Sequence, residues 1–216
     1  EARAWYFHRF YDFQPDVNTS NPHVQAEILK IMGFWIQLGV SGFRMDAVPF
    51  LISTKGGRVR KSVAQFEMLR SLRAFLQWRV GDSIILGEAN VSPETGLDYF
   101  GKDGDRMHMM FNFHVNQNLF YALAASDCRP LVRALKATDY RPEAAQWGLF
   151  LRNHDELDLG RLTEEQRQQV FKSFGARECL ERIREHPLWQ RRGELPDGEG
   201  IGVALGFWPG GLEPAA

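Results

Sequence analysis

The chain has 216 residues, 44% hydrophobic and 25% charged, with a formal net charge of -1 at pH 7. That composition supplies a sizeable core, and its charge balance gives no electrostatic footprint for nucleic acid or an anionic membrane. No apolar run approaches the ~18 residues of a membrane span, and the two cysteines, Cys128 and Cys179, form no CxxC pair, which points to a reducing, cytoplasmic setting.

Residues 1–22 are aromatic and polar without periodicity, so they are expected to form an ordered loop. Asn21 followed by Pro22 is a helix-start signal, and Val24, Ile28, Ile31, Trp35 and Leu38 then recur at helical spacing up to Gly39. Phe34 and Trp35 are accordingly expected in the core. The run VSGFRMDAV predicts a strand, yet Arg44 and Asp46 stand two residues apart in it and so share one face. Residues 61–79 predict a second amphipathic helix, with Phe66, Leu69, Leu72, Phe75 and Leu76 on one side. SIILGEAN is a short apolar strand ending on Glu88. HMMFNFH predicts a further strand, with its methionines in the core, and NLFYALAAS a helix. Short helical or turn segments at 130–137 and 142–145 precede the strand WGLFLRNHDE. Thr163 caps the helix TEEQRQQVFKSF, whose first turn is acidic. The arginines between 177 and 192 alternate with glutamates and predict a solvated helix face.

Apolar strands alternating with amphipathic helices predict an α/β fold with a helix-covered parallel sheet, either doubly wound or a (β/α)8 barrel. No GxGxxG or GxxxxGK[ST] follows any strand, so the nucleotide-binding version lacks its phosphate loop. What recurs instead is a polar cluster at the strand ends: Arg44 and Asp46, then Glu88 and Asn90, then Asn153, His154 and Asp155. Barrel enzymes assemble their active sites there.

Each cluster alone has a plain reading. Arg44 and Asp46 read equally as a structural ion pair, Glu88 as a helix-start acid, and Asn153–Asp155 as a turn. Together they offer three carboxylates from three strands at one rim. Retaining glycoside hydrolysis needs a nucleophilic carboxylate and a proton-donating partner about 5 Å apart. On that chemistry Asp46 is the candidate nucleophile, held by Arg44, and Asp155 with His154 would bind sugar hydroxyls and favour the cationic transition state. Phe13, Phe50, Phe111 and Trp147 are candidate stacking faces.

GFRMDAV, ILGEAN and FLRNHDE resemble, in order and spacing, three sequence regions of the α-amylase family of retaining glycosidases and transglycosidases. The resemblance implies a (β/α)8 TIM barrel of which this chain holds about strands four to seven with their helices. It implies Asp46 as nucleophile, Glu88 as general acid/base and Asp155 as transition-state stabiliser, with Arg44 and His154 orienting or contacting substrate; Asn153 and Phe50 are further candidate substrate contacts. QPDVN, residues 14–18, resembles a further family region, in the form seen in oligo-1,6-glucosidases and trehalose synthases. FLRNHDELDLGRLTEEQR is most similar to the trehalose-synthase branch, whose members isomerise maltose to trehalose by intramolecular transglucosylation. The implied substrate is a small α-glucoside such as maltose, with Val48-Pro49-Phe50 in place of the Lys-His of many amylases. An α-glucosidase or oligo-1,6-glucosidase type hydrolase and a non-catalytic sugar-binding relative are the alternatives. The family's early strand-three motif is absent from the chain. No metal ligands are assigned among these residues, and calcium in a full-length enzyme is left open. The expected organisation is residues 1–22 as the end of an inserted loop domain, 23–175 as partial barrel and 176–216 as a divergent tail.

Overall fold

In the computed structural model the described residues are 5–53, 63–152, 157–191, 193, 194 and 196. Two compact units divide the chain, one comprising Glu1–Val115 with Leu135–Phe150, the other Asn116–Ala134 with Leu151–Ala216.

Asn21 caps the first helix, α1 (Pro22–Gln37), by accepting the His23 N–H on its side chain. Gly39, at φ 92°, turns the chain out of the helix into strand β1 (Gly42–Met45). A four-residue helical turn, α2 (Val48–Leu51), follows, and then α3 (Val63–Arg79). Strand β2 (Ile84–Gly87) leads to α4 (Pro93–Phe100), which starts on a Ser92 cap and stops at Gly101, φ 78°. Strand β3 (Met109–Phe111), helices α5 (Phe113–Ala125) and α6 (Arg129–Ala137), and strand β4 (Gln146–Gly148) come next. The chain continues through α7 (Glu164–Phe174), α8 (Ala176–Glu185) and α9 (Pro187–Gln190). Thr163 and Gln166 form a reciprocal capping box at the start of α7.

The four strands form one parallel sheet in the order β1-β2-β3-β4, so the sequential, helix-connected arrangement expected from the pattern is the one observed. Its register separates the side chains into two rows. Met45, Gly87, Met110 and Trp147 are partners on one face, and Arg44, Leu86, Met109 and Gln146 on the other. The first row lies in the main core, with Leu69, Leu72 and Leu76 of α3, Ile85, Phe100 and Met107. Gly87 leaves room in that row for two buried methionines: a Cβ there would come within 2.5 Å of Met107 Cε and 2.7 Å of Met110 Sδ, and both ends would have to shift. In the second unit Leu159, Leu162 and Val170 form a smaller cluster with Phe120, Tyr121 and Ala124. The buried Gln117 side chain accepts the Arg161 N–H at 2.9 Å there.

Two core expectations fail. Ile31, Phe34, Trp35 and Leu38 of the α1 region are exposed, while Met32, Ile28, Leu29 and Ile36 face the core. The helix carries apolar residues on more than one side and packs beside α3, so one stripe joins the core and the other is left open. Trp147, expected as a sugar-stacking face, packs inward instead. Its ring meets Phe100 edge-on at 4.8 Å and abuts Gly96 of α4, because its register row is the core row.

Candidate active site

Alternation along the strands decides which charges meet. Asp46 and Glu88 each stand one residue past the core row, beyond Met45 and Gly87, and so return to the face of Arg44. One nitrogen of the Arg44 guanidinium, Nη2, lies 2.9 Å from Asp46 Oδ1 and also hydrogen-bonds Glu88 Oε2. Two bonds of about 3 Å to one nitrogen confine the two carboxylate oxygens to within about 6 Å of each other. That range contains the separation of about 5 Å used by retaining glycosidases. The ion pair considered from sequence is therefore present, but it is a three-member bridge across two strands rather than a local pair.

The two carboxylates differ in solvent access. The Asp46 side chain is 67% exposed and that of Glu88 is 17% exposed. Glu88 is not a helix-start acid: α4 begins five residues later, and Glu94 is the acid in its first turn.

Phe50, on α2, is half-exposed and lies against the lead-in loop. Phe10 meets its ring edge-on at 5.5 Å, and the Arg9 guanidinium carbon lies 5.1 Å from its centroid. The loop is tied to the end of α2 by the buried Thr19, whose hydroxyl donates to the Leu51 carbonyl at 2.5 Å. Sequence reading did not single out Arg9 or Phe10, because an aperiodic loop carries no signal of what it folds onto. Phe111 packs with Phe113 and Phe150, and Phe13 stacks on Tyr11. Asn153, His154 and Asp155 lie outside the described residues.

His108 serves the sheet. Its Nδ1 accepts the Ile85 N–H at 3.1 Å, and burial, reinforced by the Arg73 charge, lowers its pKa to about 4. A neutral ring that accepts a backbone proton has its Nδ1 fully used by structure. Among the described residues no group of three His, Cys, Asp or Glu side chains gathers as a metal site, and no helix is long and apolar enough to cross a membrane.

A parallel sheet with an apolar core on one face and charged side chains past its C-terminal ends is the arrangement on which (β/α) barrel enzymes build their sites. The chain belongs to the α-amylase family: residues 1–181 match the family model described as "Alpha amylase, catalytic domain". Among its relatives is the trehalose synthase of Thermus thermophilus, 44% identical over 174 residues, which are 80% of this chain and 18% of that protein. The "Trehalose synthase/amylase TreS" of Mycolicibacterium smegmatis is 37% identical over 80% of this chain and 30% of its own length. The crystal structure of the α-amylase from H. orenii superposes with a TM-score of 0.57 at 24% identity, covering 71% of this chain and 32% of that one, and bears on the fold. The chain thus spans less than a third of the length of these relatives.

Proposed function

We propose that this chain is part of a retaining α-glucoside-active enzyme that isomerises maltose to trehalose by intramolecular transglucosylation. The carrying observation is the single Arg44 nitrogen shared by Asp46 and Glu88 at adjacent strand ends. The similarity to trehalose synthases supports the choice within the family.

Asp46, the more exposed carboxylate, attacks the anomeric carbon of the non-reducing glucose, and the bond to the leaving oxygen breaks as Glu88 delivers a proton to it. A glucosyl ester of Asp46 and a free glucose result. Glu88, now ionised, takes the proton from the attacking hydroxyl, the ester breaks, and Asp46 is released. Arg44 orients Asp46 and holds the single negative charge of the pair, which sits on Asp46 before the first step and on Glu88 after it. Asp155 stabilises the oxocarbenium-like transition state, while His154 and Asn153 hold sugar hydroxyls and Phe50 offers a ring face to the leaving glucose.

Attack by the anomeric hydroxyl of the retained glucose gives trehalose, and attack by water gives hydrolysis. Exclusion of water decides between them. The hydrolytic reading is the runner-up, supported by the word amylase in the name of the Mycolicibacterium relative. Incubating the full-length enzyme containing this chain with maltose separates them. Trehalose as main product supports the isomerase, glucose alone the hydrolase, and unchanged maltose despite binding a non-catalytic relative.

A further inference from the structure

Ala47, between the candidate nucleophile and α2, adopts the left-handed conformation, φ 43° and ψ 47°. Among the described residues only Ser126 joins it as a non-glycine with positive φ. Asn and Asp visit that region with help from a polar side chain, and alanine has none, so the surroundings must hold it there.

The surroundings are on the neighbouring strand end. The Glu88 N–H donates to the Met45 carbonyl at 2.9 Å, and the Val48 N–H donates to the Glu88 carbonyl at 2.9 Å. Both backbone polar groups of Glu88 are thereby spent on the residues that bracket Asp46 and Ala47. Val48 is fully buried, and Gly87 passes beneath it, its missing Cβ 3.5 Å from Val48 Cγ2. The Ala47 carbonyl accepts from Phe50 and Leu51 at 2.9 and 3.2 Å and so starts α2. The chain must therefore reverse within two residues. An extended Ala47 would carry Val48 away from Glu88 and open the ring of bonds.

We propose that Ala47 is a positioning residue: its left-handed backbone closes a main-chain clamp between the ends of β1 and β2 that sets the spacing of Asp46 and Glu88. The clamp acts alongside the Arg44 bridge, and it explains how two charged strand ends keep one separation when side-chain contacts change during turnover. The inference rests on the reading of these carboxylates as the reacting pair.

The test is a substitution series at position 47 in the full-length enzyme, with folding checked by circular dichroism and thermal midpoint. Ala47→Val places a β-branched residue where positive φ is strained. It is expected to lower kcat by about 100-fold with KM little changed, because a small misplacement of reacting groups costs that much. It should also move the pH profile of kcat/KM, since the profile depends on how closely the two carboxyls interact. Ala47→Gly and Ala47→Asn, which accept the left-handed region, retain most of kcat. Wild-type kcat and pH profile in the valine variant would overturn the clamp. So would an asparagine variant as impaired as the valine one, since side-chain bulk would then be the cause. If the valine variant does not fold, Ala47→Leu against Ala47→Asn decides the same point, with loss of kcat expected in the first alone. Asp46→Asn is the reference. If it keeps activity, the assignment of the reacting pair fails; if it is inactive and the position-47 series is flat, only the clamp fails.

Discussion

The ends of β1 and β2 and the ends of β3 and β4 belong to one parallel sheet, yet they are finished in different materials. Past β1 and β2 stand Asp46 and Glu88, joined through Arg44. At and past β3 and β4 stand Phe111, Phe113 and Phe150, whose rings meet edge-on or tilted, with Phe150 5.1 and 5.0 Å from the other two. Asn112, a polar residue there, is buried, accepts the Val115 N–H at 3.0 Å and donates to the Thr138 hydroxyl at 3.2 Å. All of its visible hydrogen bonding holds structure. Among the described residues, one strand-end architecture thus carries charges that can change state in one half and groups fixed by packing in the other, while the proposed Asp155 and His154, further along after β4, lie outside them. On strands of a common register, the difference lies in the side chains and in the left-handed turn at Ala47.

That contrast breaks if substitutions in the two halves have the same kind of effect. The largest is expected at Arg44. Arg44→Lys keeps the charge but replaces a forked guanidinium with a point donor, and kcat is expected to fall about 100-fold with little change in thermal midpoint. Equal loss of stability and activity would make Arg44 a structural residue. Asn112→Ala should behave in the opposite way. It removes two buried hydrogen bonds and leaves the Val115 N–H unpaired, for a loss of about 2 kcal/mol in unfolding free energy with kcat unaltered. Denaturant unfolding beside steady-state kinetics checks both variants.

The smallest effect is a pH dependence. The native pKa of His108, about 4, lies below its ordinary value of 6.5, so between those values the unfolded chain binds a proton that the native ring refuses. Its contribution is complete above pH 6.5 and is lost as pH falls towards 4. Given the ring's partial exposure, the loss is about 1–2 kcal/mol. His108→Asn should flatten that part of the stability profile, and an unchanged slope would place the dependence elsewhere.

Much of this was legible in the residues. Asn21-Pro22 and Thr163 with Gln166 mark helix starts through side-chain chemistry that acts within one turn, and both caps form. The shared face of Arg44 and Asp46 follows from strand alternation, although Asp46 itself lies one residue beyond β1. Reading failed where the answer depends on a distant partner. The open stripe of α1 and the buried one are both apolar, and only the position of α3 and the sheet separates them. Helix α4 had a readable Ser92-Pro93-Glu94 start, but eight residues are too few for a clear period. Trp147 looks like an exposed aromatic until register assigns it to the core row. The conformation of Ala47 had no signal at all, because alanine has neither the freedom of glycine nor the polar side chain of Asn or Asp that would mark a left-handed residue.

The most direct test of the central claim is to trap the covalent intermediate. The full-length enzyme is treated with a glucosyl donor whose electron-withdrawing substituent slows release of the ester more than its formation, and the modified peptide is mapped by mass spectrometry. A glucosyl group on Asp46, with no labelling in Asp46→Asn, is the predicted result. A label on another carboxylate, or steady turnover of maltose by Asp46→Asn, would contradict the account.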